Sequence, residues 1–116
     1  MQVLFESRHP QGEHLRDFAV RRTVFVMRRV TWLVPRARVQ LSDANGPRGG
    51  VDKQCRIELA TDGAGHVVAS STARTWRGAL NAALSRAVRA LMRLWRRGRD
   101  PQRPRQALLP APGTER

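Results

Sequence analysis

The sequence predicts an α+β domain in the order strand, helix, three strands, helix: a four-stranded sheet with two helices packed on one face. Three observations predict it. Val39 and Leu41 alternate with Arg38 and Gln40, and Cys55, Ile57 and Leu59 alternate with Gln54, Arg56 and Glu58, so two half-buried strands flank a polar, glycine-rich connection. Near the start of the chain Leu15, Phe18, Ala19, Val26 and Val30 recur at helical spacing, and near its end Trp76, Ala79, Leu80, Ala83, Ala87, Leu91, Leu94 and Trp95 mark one face of a longer helix.

Taken in order, residues 2 to 7 form a first strand, with Val3 and Phe5 on one face and Gln2, Leu4 and Glu6 on the other. A helix is expected from about Gly12 to Val30, against the strand-forming run Thr23-Val-Phe-Val-Met27. Pro35 opens the next strand, 35 to 42, where a missing N–H is tolerated. The third strand ends at Ala60, and Asp62-Gly63 turns the chain into a fourth near 66 to 72. Thr75 supplies an N-cap hydroxyl for the last helix, which is expected to end near Arg97. From Gly98 onward the composition shifts to prolines and scattered arginines. The expected organisation is therefore a domain over 1–97 and a flexible tail over 98–116.

Charge narrows the partner. The 116 residues carry 22 basic side chains, all arginine except Lys53, against 9 carboxylates, for a net charge of +13. Such a balance points to a polyanion, and planar guanidinium groups that engage two phosphate oxygens or stack on bases suit RNA. Residues 74 to 105 alone hold ten arginines and Asp100, a local charge of +9. Within them Arg86, Arg89, Arg93 and Arg96 or Arg97 follow one another by three or four, forming a like-charged ridge beside the apolar stripe. Arg21 with Arg28, and Arg22 with Arg29, lie about two turns apart on the expected first helix and form a second basic rail. Arg22 has two open placements, exposed contact or snorkelling edge of the core. Arg36, Arg38 and Arg56 add charge to the outer sheet face, where Glu58 is placed to neutralise a neighbour across the strands.

Other chemistries find little support. Cys55 falls on the apolar face of its strand, reading as a buried thiol, and as a lone cysteine it implies a reducing compartment. His9, His14 and His66 match no metal-ligand spacing. Gly46-Pro-Arg-Gly-Gly50 lacks the lysine and hydroxyl of a phosphate-cradling loop and reads as a mobile hairpin connection. No enzyme, cofactor or small-molecule substrate is expected. Glu6 interrupts the opening where a signal peptide needs its apolar core, and no apolar run has membrane-spanning length, so the expected location is cytoplasmic. Trp76 and Trp95 belong to the apolar stripe, Trp32 is assigned to neither core nor surface, and the outer strands lack the exposed aromatic pair of a base-reading sheet.

These residues resemble a known family. The opening Met1-Gln-Val3, Leu15 and Arg16, Arg38-Val-Gln-Leu-Ser-Asp-Ala-Asn-Gly46, Asp52-Lys-Gln-Cys-Arg-Ile-Glu58, and the closing pattern Thr75-Trp76, Ala79, Ala83 and Leu91 together resemble the ribosome hibernation promoting factor family, also called ribosome-associated inhibitor or sigma-54 modulation protein, in its short single-domain form. The resemblance implies a β-α-β-β-β-α fold that occupies the mRNA and tRNA channel of the small ribosomal subunit and silences 70S ribosomes in stationary phase or under stress. The site implied is a set of arginine contacts to 16S rRNA, made by a protein that is monomeric off the ribosome and has no membrane partner. The alternatives are a general double-stranded RNA-binding module, whose lysine cluster is missing near Thr75-Trp-Arg-Gly78, and a membrane-surface protein using its basic last helix.

Overall fold

A computed structural model of the chain describes residues 1–43, 52–63 and 65–99, so the expected Gly46–Gly50 connection and the tail from 100 onward lie outside the described residues. Strand β1 (Gln2–Ser7) leads through a 3-10 helix (Pro10–Leu15) into α1 (Arg16–Val26), followed by β2 (Arg36–Asp43), β3 (Lys53–Ala60), β4 (His66–Ala73) and α2 (Trp76–Arg99). The sheet order is β1-β2-β3-β4, with β1 parallel to β2 and the other neighbours antiparallel. This is the α+β architecture expected from the sequence, with the helices on one face.

The alternation of each strand sorts its side chains as the periodicity predicts. Phe5, Ala37, Val39, Leu41, Cys55, Ile57, Leu59 and Val67 are buried under the helices. Their chain neighbours Leu4, Arg38, Arg56 and Val68 stand exposed on the opposite face. Leu4, Arg38, Glu58 and Val68 line up as one cross-strand row of that open face, and Glu6, Gln40, Arg56 and Ser70 form the next. The β3–β4 turn needs left-handed backbone at Gly63 (φ 88°) and Gly65 (φ 105°), a region L side chains seldom enter.

Helix α2 begins as expected. The Thr75 hydroxyl accepts the backbone N–H of Gly78 at 3.1 Å, a cap worth about 1 kcal/mol. Trp76, Ala79, Leu80, Ala83, Ala87 and Leu91 are buried, and Leu84, absent from the sequence-predicted stripe, is buried with them. Leu94 and Trp95 are half-buried, and the helix continues two residues past Arg97 to Arg99.

The first helix departs from expectation. The predicted run from Gly12 to Val30 divides into a 3-10 turn, an eleven-residue α-helix ending at Val26, and a chain of turns through 27–33. The helix runs through the β-branched Thr23-Val-Phe-Val26 in spite of its low propensity and ends after it, because the following turns carry Met27, Leu33 and Val34 into the core, where all three are nearly inaccessible. The N–H of Met27 bonds to Thr23 O, and that of Val30 to Met27 O, closing the helix with tight turns. As a result Val24 and Phe25 remain on the surface.

Candidate nucleic-acid interface

Helix α2 packs on β3 and β4, and α1 packs on β1, so the two helices lie side by side and their outward flanks face opposite sheet edges. Contacts between α2 and the segment formed by α1 and the turns after it pair early with early and late with late residues. The Arg77 guanidinium lies 4.3 Å from the centre of the Phe18 ring, Arg22 Nε donates to Asn81 Oδ1 at 3.0 Å, and Trp32 meets Trp95 edge to face at 5.8 Å.

The sequence-predicted ridge sits on the exposed side of α2. Arg86, Arg89, Arg93, Arg96 and Arg97 all project to solvent, and none is paired with a carboxylate among the described residues. Neighbours three or four apart repel, at roughly 0.2–0.5 kcal/mol for each like-charged pair. Four such pairs (86/89, 89/93, 93/96 and 93/97) cost the free helix about 1 to 2 kcal/mol, a penalty that an anionic ligand removes.

Beside the ridge runs a groove of about 340 Å³, with Arg86, Arg89 and Arg93 on one wall and the edge-strand residues Val68, Ala69 and Ser70 on the other. Arg86 Nη1 donates to the Ser70 carbonyl at 3.2 Å, covering part of the free β4 edge. Arg96 Nε donates to Met92 O at 3.3 Å. Arg89 and Arg93 line the groove and have no carboxylate partner among the described residues. Ser70 and the β4 edge were not singled out in the sequence, although a meander that ends in β4 already makes that strand an edge.

The predicted second rail is not assembled. Arg21 lines a smaller hollow of about 230 Å³ with Val3, Phe5 and Arg16 on the β1 side, at the opposite edge of the sheet from the ridge. Arg22 is exposed and committed to Asn81, resolving its two placements in favour of a strut between the helices. Arg28 and Arg29 lie beyond the end of α1, so the seven-residue spacing does not follow one helix face. Arg28 folds back over the Phe25 ring at 4.2 Å and donates to the Phe25 carbonyl at 2.7 Å.

The outer sheet face is largely neutralised. Arg38 pairs with Glu6 at 3.2 Å, Gln40 also donates to Glu6, and Arg56 pairs with Glu58 at 3.1 Å. The Glu58 neighbour foreseen across the strands is thus met along its own strand. These half-exposed pairs contribute at most about 1 kcal/mol each, but they leave that face with little net charge to attract phosphate.

At the far end of the sheet Lys53 lies 3.0 Å from Asp43 and 3.5 Å from buried Asp52, with its ammonium 5.0 Å from the Trp76 ring centre. The hydrogen bond to Asp43 raises the Lys53 pKa above its ordinary 10.5. Trp76 donates from Nε1 to Ser42 O at 3.0 Å and packs against His9, so this cluster anchors the start of α2. Cys55 is fully buried, and desolvation pushes its thiol up to about 12, far from the thiolate a nucleophile requires. Among the described residues no group of three or more His, Cys, Asp or Glu side chains is placed to hold a metal, and no helix is long and apolar enough to cross a membrane. Compared with known proteins, the chain matches no family model and no curated protein.

Proposed function

We propose that this protein is a ribosome-binding translation inhibitor of the hibernation-factor type, which occupies the mRNA and tRNA channel of the small subunit through arginine contacts to 16S rRNA. The observation that carries the reading is the exposed face of α2, where Arg86, Arg89, Arg93, Arg96 and Arg97 project without carboxylate partners among the described residues. Guanidinium groups bind phosphate oxygens in a planar, often bidentate geometry, and each contact releases condensed counterions. A rigid helix holds these charges at fixed spacing, so the entropy lost on binding is smaller than for a flexible basic tail.

The β-α-β-β-β-α order, which the family resemblance implies, supports the same reading. In this reading the protein acts by occupancy. It performs no covalent step, needs no cofactor, works in the cytoplasm and is a monomer off the ribosome. The open sheet face, with its paired Arg38 and Arg56, turns away from the rRNA, and α2 turns toward it.

Co-sedimentation of the full chain with 30S subunits and 70S ribosomes, together with cell-free translation, tests the proposal. The expected result is binding to both particles and inhibition at stoichiometric protein. Equal or tighter binding to an unrelated RNA duplex, with translation unaffected, refutes the ribosomal reading in favour of a double-stranded RNA module.

A further inference from the structure

Trp32 is 61% exposed, the most exposed large apolar side chain among the described residues, yet it is held in place. Its indole Nε1 donates to the Arg29 carbonyl at 3.1 Å, and its ring meets Trp95 at 5.8 Å with an interplanar angle of 72°. With the N–H satisfied, the capacity that remains to this side chain is its open π face. Indole side chains are normally mostly buried, so a fixed indole presented to water has the form of a stacking platform.

Its surroundings select the occupant. Trp95 lies about half a turn round α2 from Arg93, on the flank that meets the α1 side, and the exposed Arg96 follows it directly in the chain, so Arg96 is the α2 arginine next to the platform. From Arg86 to Arg96 the helix rises by about 15 Å, and a strand seated on Trp32 meets that basic track by crossing the exposed side of the helix at Arg96. Arg29, whose carbonyl holds the indole, is exposed, while the exposed Arg28 turns its guanidinium to Phe25. Asp62, whose backbone N–H donates to Leu33 O, is the acidic residue that this end of the domain brings alongside. Cationic groups around a flat aromatic surface complement a nucleobase attached to phosphates, whereas an apolar peptide gains nothing from the charges.

We propose that Trp32 is a stacking platform for an unpaired base of an RNA strand whose phosphates run along the α2 arginines. This rests on the RNA reading above and adds to it a residue on which a base is seated. Stacking on any base has similar strength, so the platform contributes affinity for unpaired RNA with little sequence preference.

The test uses the full chain, with tryptophan emission and a labelled, unstructured oligouridylate followed by anisotropy. Trp76 is buried and Trp95 half-buried, so Trp32 dominates accessible quenching. The oligonucleotide should quench emission, while inorganic polyphosphate of matched charge should not. Trp32→Ala should weaken oligonucleotide binding about 5- to 100-fold with the salt dependence unchanged, since a base contact releases no counterion. Trp32→Phe keeps an aromatic face and should retain most of the affinity, which separates stacking from any loss of packing against Trp95. Equal quenching by polyphosphate, wild-type affinity in Trp32→Ala, or quenching only by anionic phosphatidylglycerol vesicles overturns the platform. If ribosomes bind with steep salt dependence while Trp32→Ala is without effect, the stacking proposal alone falls. If neither ribosomes nor oligonucleotide bind, the RNA reading falls with it.

Discussion

Reversing the charge of Arg86, Arg89 and Arg93 together, by changing each to Glu, separates binding from folding. All three side chains are exposed, and the hydrogen bond that ties this trio to the sheet runs from Arg86 to the Ser70 carbonyl at 3.2 Å, itself at the surface. Loss of that bond costs at most about 1 kcal/mol. Arg93→Glu places a carboxylate four residues before Arg97, the favourable i,i+4 orientation, and returns a few tenths of a kcal/mol. The unfolding free energy of the variant should therefore stay within about 1 kcal/mol of the parent, while the net charge falls from +13 by six to +7. Binding should respond on another scale. A log-log salt slope of about 0.7 to 0.9 per phosphate contact makes each contact worth a factor of about four to six at 0.15 M salt relative to 1 M. Neutralising three contacts then costs roughly 50- to 200-fold, and reversal costs more because Glu and phosphate repel. Circular dichroism melts and ribosome co-sedimentation at several salt concentrations measure the two effects, and replacement by Gln should lower the salt slope by about 2 to 3. A variant that stays folded and still binds ribosomes normally refutes the assignment of α2 as the contact face. One that loses its cooperative melt shows that the ridge supports the fold.

Three further predictions rest on buried groups. Gly12 is buried, and a Cβ there would collide with the Ser7 hydroxyl and lie 3.2 Å from Ser7 Cβ; Gly12→Ala should displace the Ser7 to His9 hydrogen bond and destabilise the fold by about 1 to 3 kcal/mol, read as a lower melting midpoint. An unchanged midpoint would mean that the 3-10 turn yields freely. Cys55 should resist thiol reagents at pH 8 in the native protein and react on unfolding, because burial holds its pKa up at about 12. The raised Cys55 and Lys53 values have the same linkage sign: each contribution to stability is full below the ordinary value, 9.0 or 10.5, and declines as pH rises through the raised one. Thermal stability should accordingly fall from about pH 9 upward, and a flat profile to about pH 11 would contradict the burial of that thiol.

The unpaired ridge and the paired sheet face hold similar residue types with opposite outcomes. Arg38 and Arg56 find carboxylates because a sheet brings distant or alternate residues into register, as Arg38 meets Glu6 from a strand 32 residues earlier. Arg89 and Arg93 find none because the described part of the chain after Asp62 contains no carboxylate at all. A helix that carries no carboxylate, flanked by described segments that supply none, remains a cationic surface.

The strands, their buried faces, the capped start of α2 and its basic ridge were all legible in the sequence. Each depends on local chemistry: the two-residue pleat, the 3.6-residue turn, and a hydroxyl placed three residues before an orphan N–H. The extent of the first helix was not legible, because its pattern fits a helix to Val30. Only the competition for core space decides that Met27, Leu33 and Val34 arrive through turns. The same packing placed Arg21 beside β1 and the ridge beside β4, bonded Arg22 to Asn81, and left Trp32 exposed against Trp95. Sequence periodicity reports which residues share a face of one element. Which faces meet is set by side-by-side packing of α1 and α2 over the sheet, and that relation between distant segments exists only in the folded chain.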